Sequence, residues 1–414
     1  MTKNYVDFSE AVTLSLQNAE ERPLKEIVGI ERTLGRVFSQ DVICQKNLPS
    51  FDNSAMDGFA VRAVDAGKTL KVREVIYAGE VHEASLGDDE CYKIMTGAQV
   101  PLDADTIIPI ERVVKFENDK VTLPETLQKG DALRRKGEER QEGDILFKKG
   151  EEITARTIAV LASQGIMSVE VFKKLSIAVV STGNEIREPW EHASKDEIYN
   201  CNSFAIISAL QSKGFDASYI KVIPDNLEET IAFVSELKSY DIIITSGGIS
   251  MGDADFVGRA FEANGLQTLF DGVNIKPGRP IMMGKMQRSF VICLPGNPLT
   301  AMVNLYLFAL PIIRKMQGYL AHYHNIESAK NETAFKTKRG RVNVVLGRLT
   351  NGTFVATRGN RYGSGMITVI EESDALLVTD EQSSGCTEGE RVKVIRLDGL
   401  YLIEEVDIFN REEI

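Results

Sequence analysis

Tryptophan occurs once and histidine four times in these 414 residues, and cysteine only five times. The cysteines, Cys44, Cys91, Cys201, Cys293 and Cys386, are scattered without a CxxC pair. That excludes a disulfide framework, makes structural zinc a poor reading, and predicts reduced thiols in a cytoplasm. His322 and His324 sit in a polar loop, where metal ligation is a poor reading. No apolar run approaches the roughly 20 residues that a bilayer-spanning helix needs. The first segment, "MTKNYVDFSEAVTLSLQ", reads as an amphipathic helix without the apolar core of a secretory signal. There is no internal repeat and no low-complexity segment. Positive charge is also short: the formal net charge is −12, which excludes nucleic-acid binding unless a local basic patch overrides it. An anionic substrate would need such a patch too, so the places where cations gather carry information.

What is present is a chain with 43% apolar residues, long enough for about two to four domains. From "KLSIAVVSTGNE" onward, strand, glycine turn and helix repeat. Residues 175–181 are a β-branched run, and "CNSFAIISALQSKG" (201–214) has helical spacing and ends on a capping glycine. "ASYIKVIPD" and "YDIIITSGG" read as strands, "NLEETIAFVSELKS" and 253–264 as helices. "SFVICLPGNP" is a further strand running into a long helix near 298–317. This alternation predicts a mostly parallel, doubly wound sheet. Residues 27–150 instead carry short alternating runs broken by glycine and proline, which predict small β-rich modules. After residue 328 short strands return, with "TNGTF" as a hairpin turn.

In open α/β sheets ligands bind beyond the carboxyl ends of the strands. The first end supplies Ser181, Thr182, Gly183, Asn184 and Glu185, the second Pro224 and Asp225. The third supplies Ser246, Gly247, Gly248, Ser250, Asp253 and Asp255, and a fourth Pro295, Gly296 and Asn297. Paired glycines leading into a helix suit an oxyanion held on backbone N–H groups. Carboxylates beside an oxyanion repel it unless a hard cation lies between, and magnesium with its oxygen ligands fits that place. Taken singly, each turn is also explained by glycines that turn the chain and acids that cap helices; four on one edge favour a site. "NIKPGRP" (274–280) sets Lys276 and Arg279 around a Pro-Gly turn, either a solvated hairpin tip or an anion clamp. "LRRKGEER" (133–140) is a second basic cluster, read as a surface charge run unless the site reaches it. "SFDNSAMDGFAV" (50–61) is too polar for a core strand and too apolar for a solvated loop, and its residues alone offer a turn made by Asp57 with Gly58.

Together these segments resemble the MoeA family of molybdopterin molybdenumtransferases, to which the E domain of gephyrin is similar. "LGRVFSQDV", "LPSFDNSAMDGFAVRAVDAG", "IMTGAQVPLDADTIIPIE", "VVSTGNEI", "TSGGISMGDADF", "KPGRP" and "LPGNPLTAMV" stand in the family's order over nearly the whole chain. The resemblance implies the last step of molybdenum cofactor synthesis. Adenylylated molybdopterin is hydrolysed with Mg2+, molybdate is inserted into the dithiolene, and AMP is released. It implies an α/β plus β fold: a doubly wound molybdopterin-binding α/β domain (1–26 and 172–327), an extended linker domain (27–47 and 145–171), an inserted β-rich domain (48–144) and a C-terminal β-barrel-like domain (328–414). It also implies an elongated homodimer, with the upstream adenylyltransferase and recipient molybdoenzymes as possible partners, and no membrane.

Carried over residue by residue, the resemblance implies catalytic roles for Asp57, Thr96, Glu185 and Asp255, and metal ligation by Glu185, Asp225 and Asp255. Substrate binding would fall to Arg134, Thr182, Gly183, Ser246, Gly247, Gly248, Ser250, Lys276, Arg279, Pro295 and Asn297. Asp57 would position molybdate, the pterin or an attacking water. Four positions depart from the family's pattern. Asn184 stands where many members have Asp, which speaks against metal binding there. Glu139 and Arg140 stand where Asp and an apolar residue are usual, and Arg279 where Lys is common. Arg279 keeps the charge and gains a bidentate fork. Two other functions compete: a pterin-binding scaffold without catalysis, and an adenylyltransferase acting one step earlier. The retained acids speak against the first, and the flanking β modules against the second.

Overall fold

The structure is a computed structural model that describes residues 5–80, 85–223, 226–248, 256–399 and 401–409. Asp225, Ser250, Asp253 and Asp255 therefore lie outside the described residues. The chain divides into two compact units. One holds the residues up to Gln40, Lys149–Ile158 and the chain from Met167 onward; the other holds Asp41–Lys148 and Ala159–Ile166.

The first unit is built on a six-stranded sheet. Its strands are β1 (Ile177–Thr182), β2 (Ala217–Ile223), β3 (Ile242–Ser246), β4 (Gln267–Asp271), β5 (Met282–Met286) and β6 (Ser289–Leu294), in the order β2-β1-β3-β6-β5-β4. The first three pairings are parallel and the last two antiparallel. Successive side chains of a strand point to opposite faces. Ile177, Val179, Ile242, Ile244 and Ile292 accordingly enter one core, and Ala178, Val180, Ile243 and Val291 another. Burial on both faces is why these strands read as continuous apolar runs. Helices α1 (Phe8–Asn18), α2 (Asn202–Ser212) and α5 (Pro298–Met316) close the first core, and α3 (Leu227–Glu236) with α4 (Phe256–Ala263) the second. The expected doubly wound architecture is present. Gly214, with φ +81°, ends α2 as expected, and the Asn226 side chain caps α3 by accepting from the N–H groups of Glu228 and Glu229. The antiparallel hairpin β4–β5 was not expected from the sequence.

One expectation needs correcting. Helix α5 is 19 residues long, with a mean hydropathy of 1.3, enough by length and composition to cross a bilayer. It is instead a core helix, 89% buried inside the protein.

The C-terminal strands close into a five-stranded barrel. Val342–Thr350 pairs with Thr353–Ala356 on one side and Ala375–Thr379 on the other, and Ile326–Asn331 with Arg391–Arg396 completes the circuit. The expected "TNGTF" hairpin sits at its first turn, where Asn351 and Gly352 both take positive φ (50° and 73°). The short strand Ile275–Lys276 joins the barrel by parallel pairing with Val342 and Asn343.

The second unit carries its own six-stranded sheet, in the order Thr106–Pro109, Gly58–Val61, Glu90–Ile94, Thr69–Ile76, Lys120–Thr122, Lys115–Glu117. Gly58–Val61 lies inside it, between Thr106–Pro109 and Glu90–Ile94. Phe59 and Val61 face one core and Ala60 the other. This corrects the turn reading of Asp57 and Gly58. Gly58 is a strand residue, and a Cβ there would stand 2.2 Å from the Ile108 carbonyl oxygen. Glycine is required by the close approach of the neighbouring strand, and Asp57 is held at the strand's leading end.

His324 reports on the packing of α5. Its ring Nε2 lies 3.1 Å from the Leu307 carbonyl, which can only accept, so the ring donates. Desolvation pushes its pKa down to about 4, against the opposing pull of the Leu307 bond. The unfolded value is about 6.5, so the unfolded chain takes up the proton first, and stability is lost as pH falls through this window. Between pH 7 and 5 the loss from this group should be about 2 kcal/mol. Urea unfolding of the parent and of His324→Gln at both pH values tests this: the variant should show the smaller fall, and equal falls would remove His324 as the cause.

Candidate functional site

At the carboxyl ends of β1, β3 and β6 the glycines after β3 and β6 approach each other and the Thr182 side chain closely. A Cβ on Gly247 (φ +90°) would come within 2.7 Å of Thr182 Oγ1 and 3.8 Å of the Gly296 Cα; one on Gly248 (φ +68°) would come within 2.7 Å of the same Thr182 oxygen. The two glycines are therefore required by conformation and by space together. Above them opens a cleft of about 880 Å³. Thr182, Gly183, Glu185, Ser246, Gly247 and Gly248 line it, as do Arg279, Pro295 and Asn297, so most of the positions singled out in the sequence are brought to one place. Asp271, at the end of β4, lines it too. Sequence reading missed Asp271 because β4 was not recognised as a strand. Beneath the floor Ser181 Oγ bonds Asn200 Oδ1 (3.0 Å) and Ser203 Oγ (2.6 Å), and Asn200 Nδ2 reaches Tyr219 Oη at 3.1 Å. The Tyr219 hydroxyl donates to Glu188. Desolvation, then that carboxylate, push the phenol's pKa far up, so Tyr219 stays neutral.

Among the described residues no group of three or more His, Cys, Asp and Glu converges as a metal would require. The cleft does offer carboxylate oxygens from Glu185 and Asp271, and such hard donors suit Mg2+.

A second cleft, of about 620 Å³, adjoins the first, and Arg279, Pro280 and Asn297 line both. It is basic: Lys276 and Arg279 from the "KPGRP" turn meet Lys336, Lys338 and Arg341 from the barrel, with no carboxylate among the lining residues. Gly278 (φ +103°) lets the turn pack on Asn304, whose Nδ2 donates to the Gly278 carbonyl at 2.9 Å. The Arg279 guanidinium lies 4.7 Å from the centre of the Tyr5 ring. Arg341 Nε is buried and has no hydrogen-bond partner among the described residues. A buried N–H left unsatisfied is costly, and an oxyanion would satisfy it. The barrel cations were missed in the sequence. Their signal was the run "KTKRGR" (336–341), which carries meaning only once the barrel places it beside "KPGRP".

In the other unit Asp57 and Thr96 come together. Thr96 donates to Asp57 Oδ1 twice, through its backbone N–H (2.7 Å) and its hydroxyl (2.7 Å). These bonds, the backbone one first, hold the Asp57 carboxyl below the usual carboxylate range. Arg134 pairs in register with Asn53 on the neighbouring stretch. Asp52 accepts from Arg135 Nη1 (3.0 Å) and the Lys136 N–H (2.7 Å). Asp57, Thr96, Arg134 and Glu139 are all exposed.

A glycine-lined cleft at the carboxyl edge of a mostly parallel sheet is the ligand-binding place of an open α/β fold. Residues 178–315 match a family described as "Probable molybdopterin binding domain". Residues 6–165 match the MoeA N-terminal region (domain I and II) and 328–397 the MoeA C-terminal region (domain IV). The molybdopterin molybdenumtransferase of Haemophilus influenzae is 34% identical over 71% of this chain and 73% of its own length. That of Staphylococcus aureus is 30% identical over 95% of this chain and 96% of its own. A crystal structure of a molybdopterin biosynthesis MoeA protein from Pyrococcus horikoshii superimposes with a TM-score of 0.85 at 26% identity, covering 95% of this chain and 100% of that one. The chain belongs to the MoeA family.

Two measurements test these sites. Lys276→Ala combined with Arg341→Ala should weaken binding of molybdate or orthophosphate by about tenfold or more, since a hydrogen bond to a charged group contributes roughly 1.5–3 kcal/mol. It should also flatten the dependence of affinity on salt. Calorimetric titration with an unchanged affinity and salt slope would place the anion elsewhere. Thr96→Val keeps the backbone bond to Asp57 and deletes the hydroxyl bond. The Asp57 carboxyl, followed by carbon-detected NMR, should then titrate at a higher pH than in the parent; an unmoved midpoint would mean that the Thr96 hydroxyl does not act on it.

Proposed function

We infer that this chain is a molybdopterin molybdenumtransferase that takes adenylylated molybdopterin and molybdate and releases AMP. The observation that carries this reading is the pairing of clefts: an oxygen-rich cleft floored by glycine N–H groups, sharing Arg279 and Asn297 with a basic cleft free of carboxylates. A substrate with a phosphate at one end and a partner oxyanion at the other needs two adjoining anion sites. The glycine turns and the N-terminus of α5 favour the phosphate, and the basic cleft favours molybdate. Glu185, with Asp225 and Asp255, would hold Mg2+, which supplies charge neutralisation at the phosphate. Glu185 stands at the carboxyl edge of the sheet, where a carboxylate has no structural task in the core. Asp57, kept ionised by Thr96, would position molybdate, the pterin or a water. The protein works in the cytoplasm as a homodimer whose two composite sites each take Asp57 from one protomer and Glu185 from the other.

Purified protein incubated with adenylylated molybdopterin, Mg2+ and molybdate should release AMP and reconstitute a cofactor-free molybdoenzyme. A scaffold would bind without releasing AMP, and an adenylyltransferase would consume ATP and free molybdopterin instead. Glu185→Ala should melt within a few degrees of the parent yet release little AMP; full activity would remove Glu185 from the site. Co-expression of Asp57→Ala and Glu185→Ala chains under two affinity tags supplies mixed dimers. One composite site then collects both changes and the other neither, so the doubly tagged fraction should regain about half of parental activity. A doubly tagged fraction as inactive as either parent variant would mean that the two residues act within one chain or that one is dispensable.

A further inference from the structure

Asn202 was passed over in the sequence as one residue of a helix. It is the first residue of α2, yet neither it nor the preceding Cys201 caps that helix with its side chain. Its amide instead reaches sideways into the cleft. Nδ2 lies 2.7 Å from Ser246 Oγ at the end of β3 and 2.7 Å from the Gly296 carbonyl oxygen after β6. A carbonyl cannot donate, so the face turned to Gly296 is the NH2 group and not the amide oxygen. Both amide hydrogens are thereby committed, one to each strand end.

We propose that Asn202 is a positioning residue for the transfer reaction, acting on substrate through Ser246 and the Gly296 turn; this rests on the function proposed above. Ser246 Oγ accepts from Asn202 and gives its single hydrogen to the Pro295 carbonyl at 3.4 Å, too long for a strong bond, so a substrate oxyanion would take it over. The serine hydroxyl is therefore set as a donor on the cleft floor, ready for a substrate oxyanion. The second bond fixes spacing. Gly247 and Gly296 face each other at van der Waals range, so a small shift of either turn changes the seat between them. The Gly247 N–H bond to the Leu294 carbonyl (3.0 Å) ties the strands below the turns, and Asn202 ties the turns themselves. The two N–H-bearing turns then face one ligand as a single seat.

A double-mutant cycle on kcat/KM for AMP release tests this. Asn202→Ala and Ser246→Ala should each lower kcat/KM by roughly 10- to 100-fold, as expected for lost bonds to a charged ligand. The double variant should be no worse than about threefold below the weaker single, because the two residues act as one unit. Asn202→Asp keeps the size but cannot donate and adds negative charge. It should fall below Asn202→Ala, and the gap should narrow at high salt. A merely structural residue would give effects that multiply in the cycle and track the loss in Tm. Multiplying effects, an unchanged kcat/KM, or failure of both the Ala and Asp variants to fold would each overturn the proposal. If the parent binds molybdopterin but releases no AMP, the functional reading fails and the same cycle is read in Kd. A parent that does neither overturns both.

Discussion

Two residues of parallel pairing, Ile275 against Val342 and Lys276 against Asn343, fix the register between the α/β sheet and the barrel, whose inner strands share one hydrophobic core with that sheet. They bring the turn between β4 and β5 onto the lip of the barrel. Because of that seam, Lys276 and Arg279 stand with Lys336, Lys338 and Arg341 around one cleft. Without it the cations would be two unrelated basic stretches on a protein of net charge −12. The seam also explains the geometry of "KPGRP". Once Lys276 is committed to a strand, the chain must reverse at once, and Gly278 supplies the backbone angles and the room against Asn304 that the reversal needs.

Charge on this chain is sorted rather than averaged. The acidic surplus disfavours polyanions, and it would repel a phosphate and an oxyanion from any site that shared it. The structure separates the two demands over a short distance. Carboxylates line the cleft at the strand ends, and the adjoining cleft excludes them. On the function proposed above, anions at the strand ends would meet backbone N–H groups, which carry no net charge; the glycines at 183, 247, 248 and 296 leave that backbone bare at the cleft lining.

How much of this was legible follows from how local each signal was. The strands β1, β3 and β6 announce themselves because burial on both faces demands unbroken apolar runs, and "TNGTF" does so because a two-residue hairpin leaves few choices of side chain. The hairpin β4–β5 was hidden because "LQTLFD" and "IMMGKM" carry neither alternation nor β-branched runs; their strand character comes from neighbours. Gly58 was misread for a related reason. Its local sequence fits a turn, and only the Ile108 backbone, 50 positions on, shows why no larger residue fits. The cleft residues at the strand ends could be found, since topology puts them on one edge. Asp271, Asn202 and the barrel cations could not, since each reaches the site from an element whose place no local pattern reveals.

The helix Pro298–Met316 has a consequence for how the chain is born. In the finished fold it is sealed inside, but as the ribosome releases it the same stretch is an apolar helix without the partners that bury it. The strands β1, β2, β3 and β6 have already emerged by then, while the barrel has not. The half-built sheet is therefore the surface that must capture the helix first. Any substitution that slows assembly of that sheet prolongs the time during which this apolar helix stays uncovered.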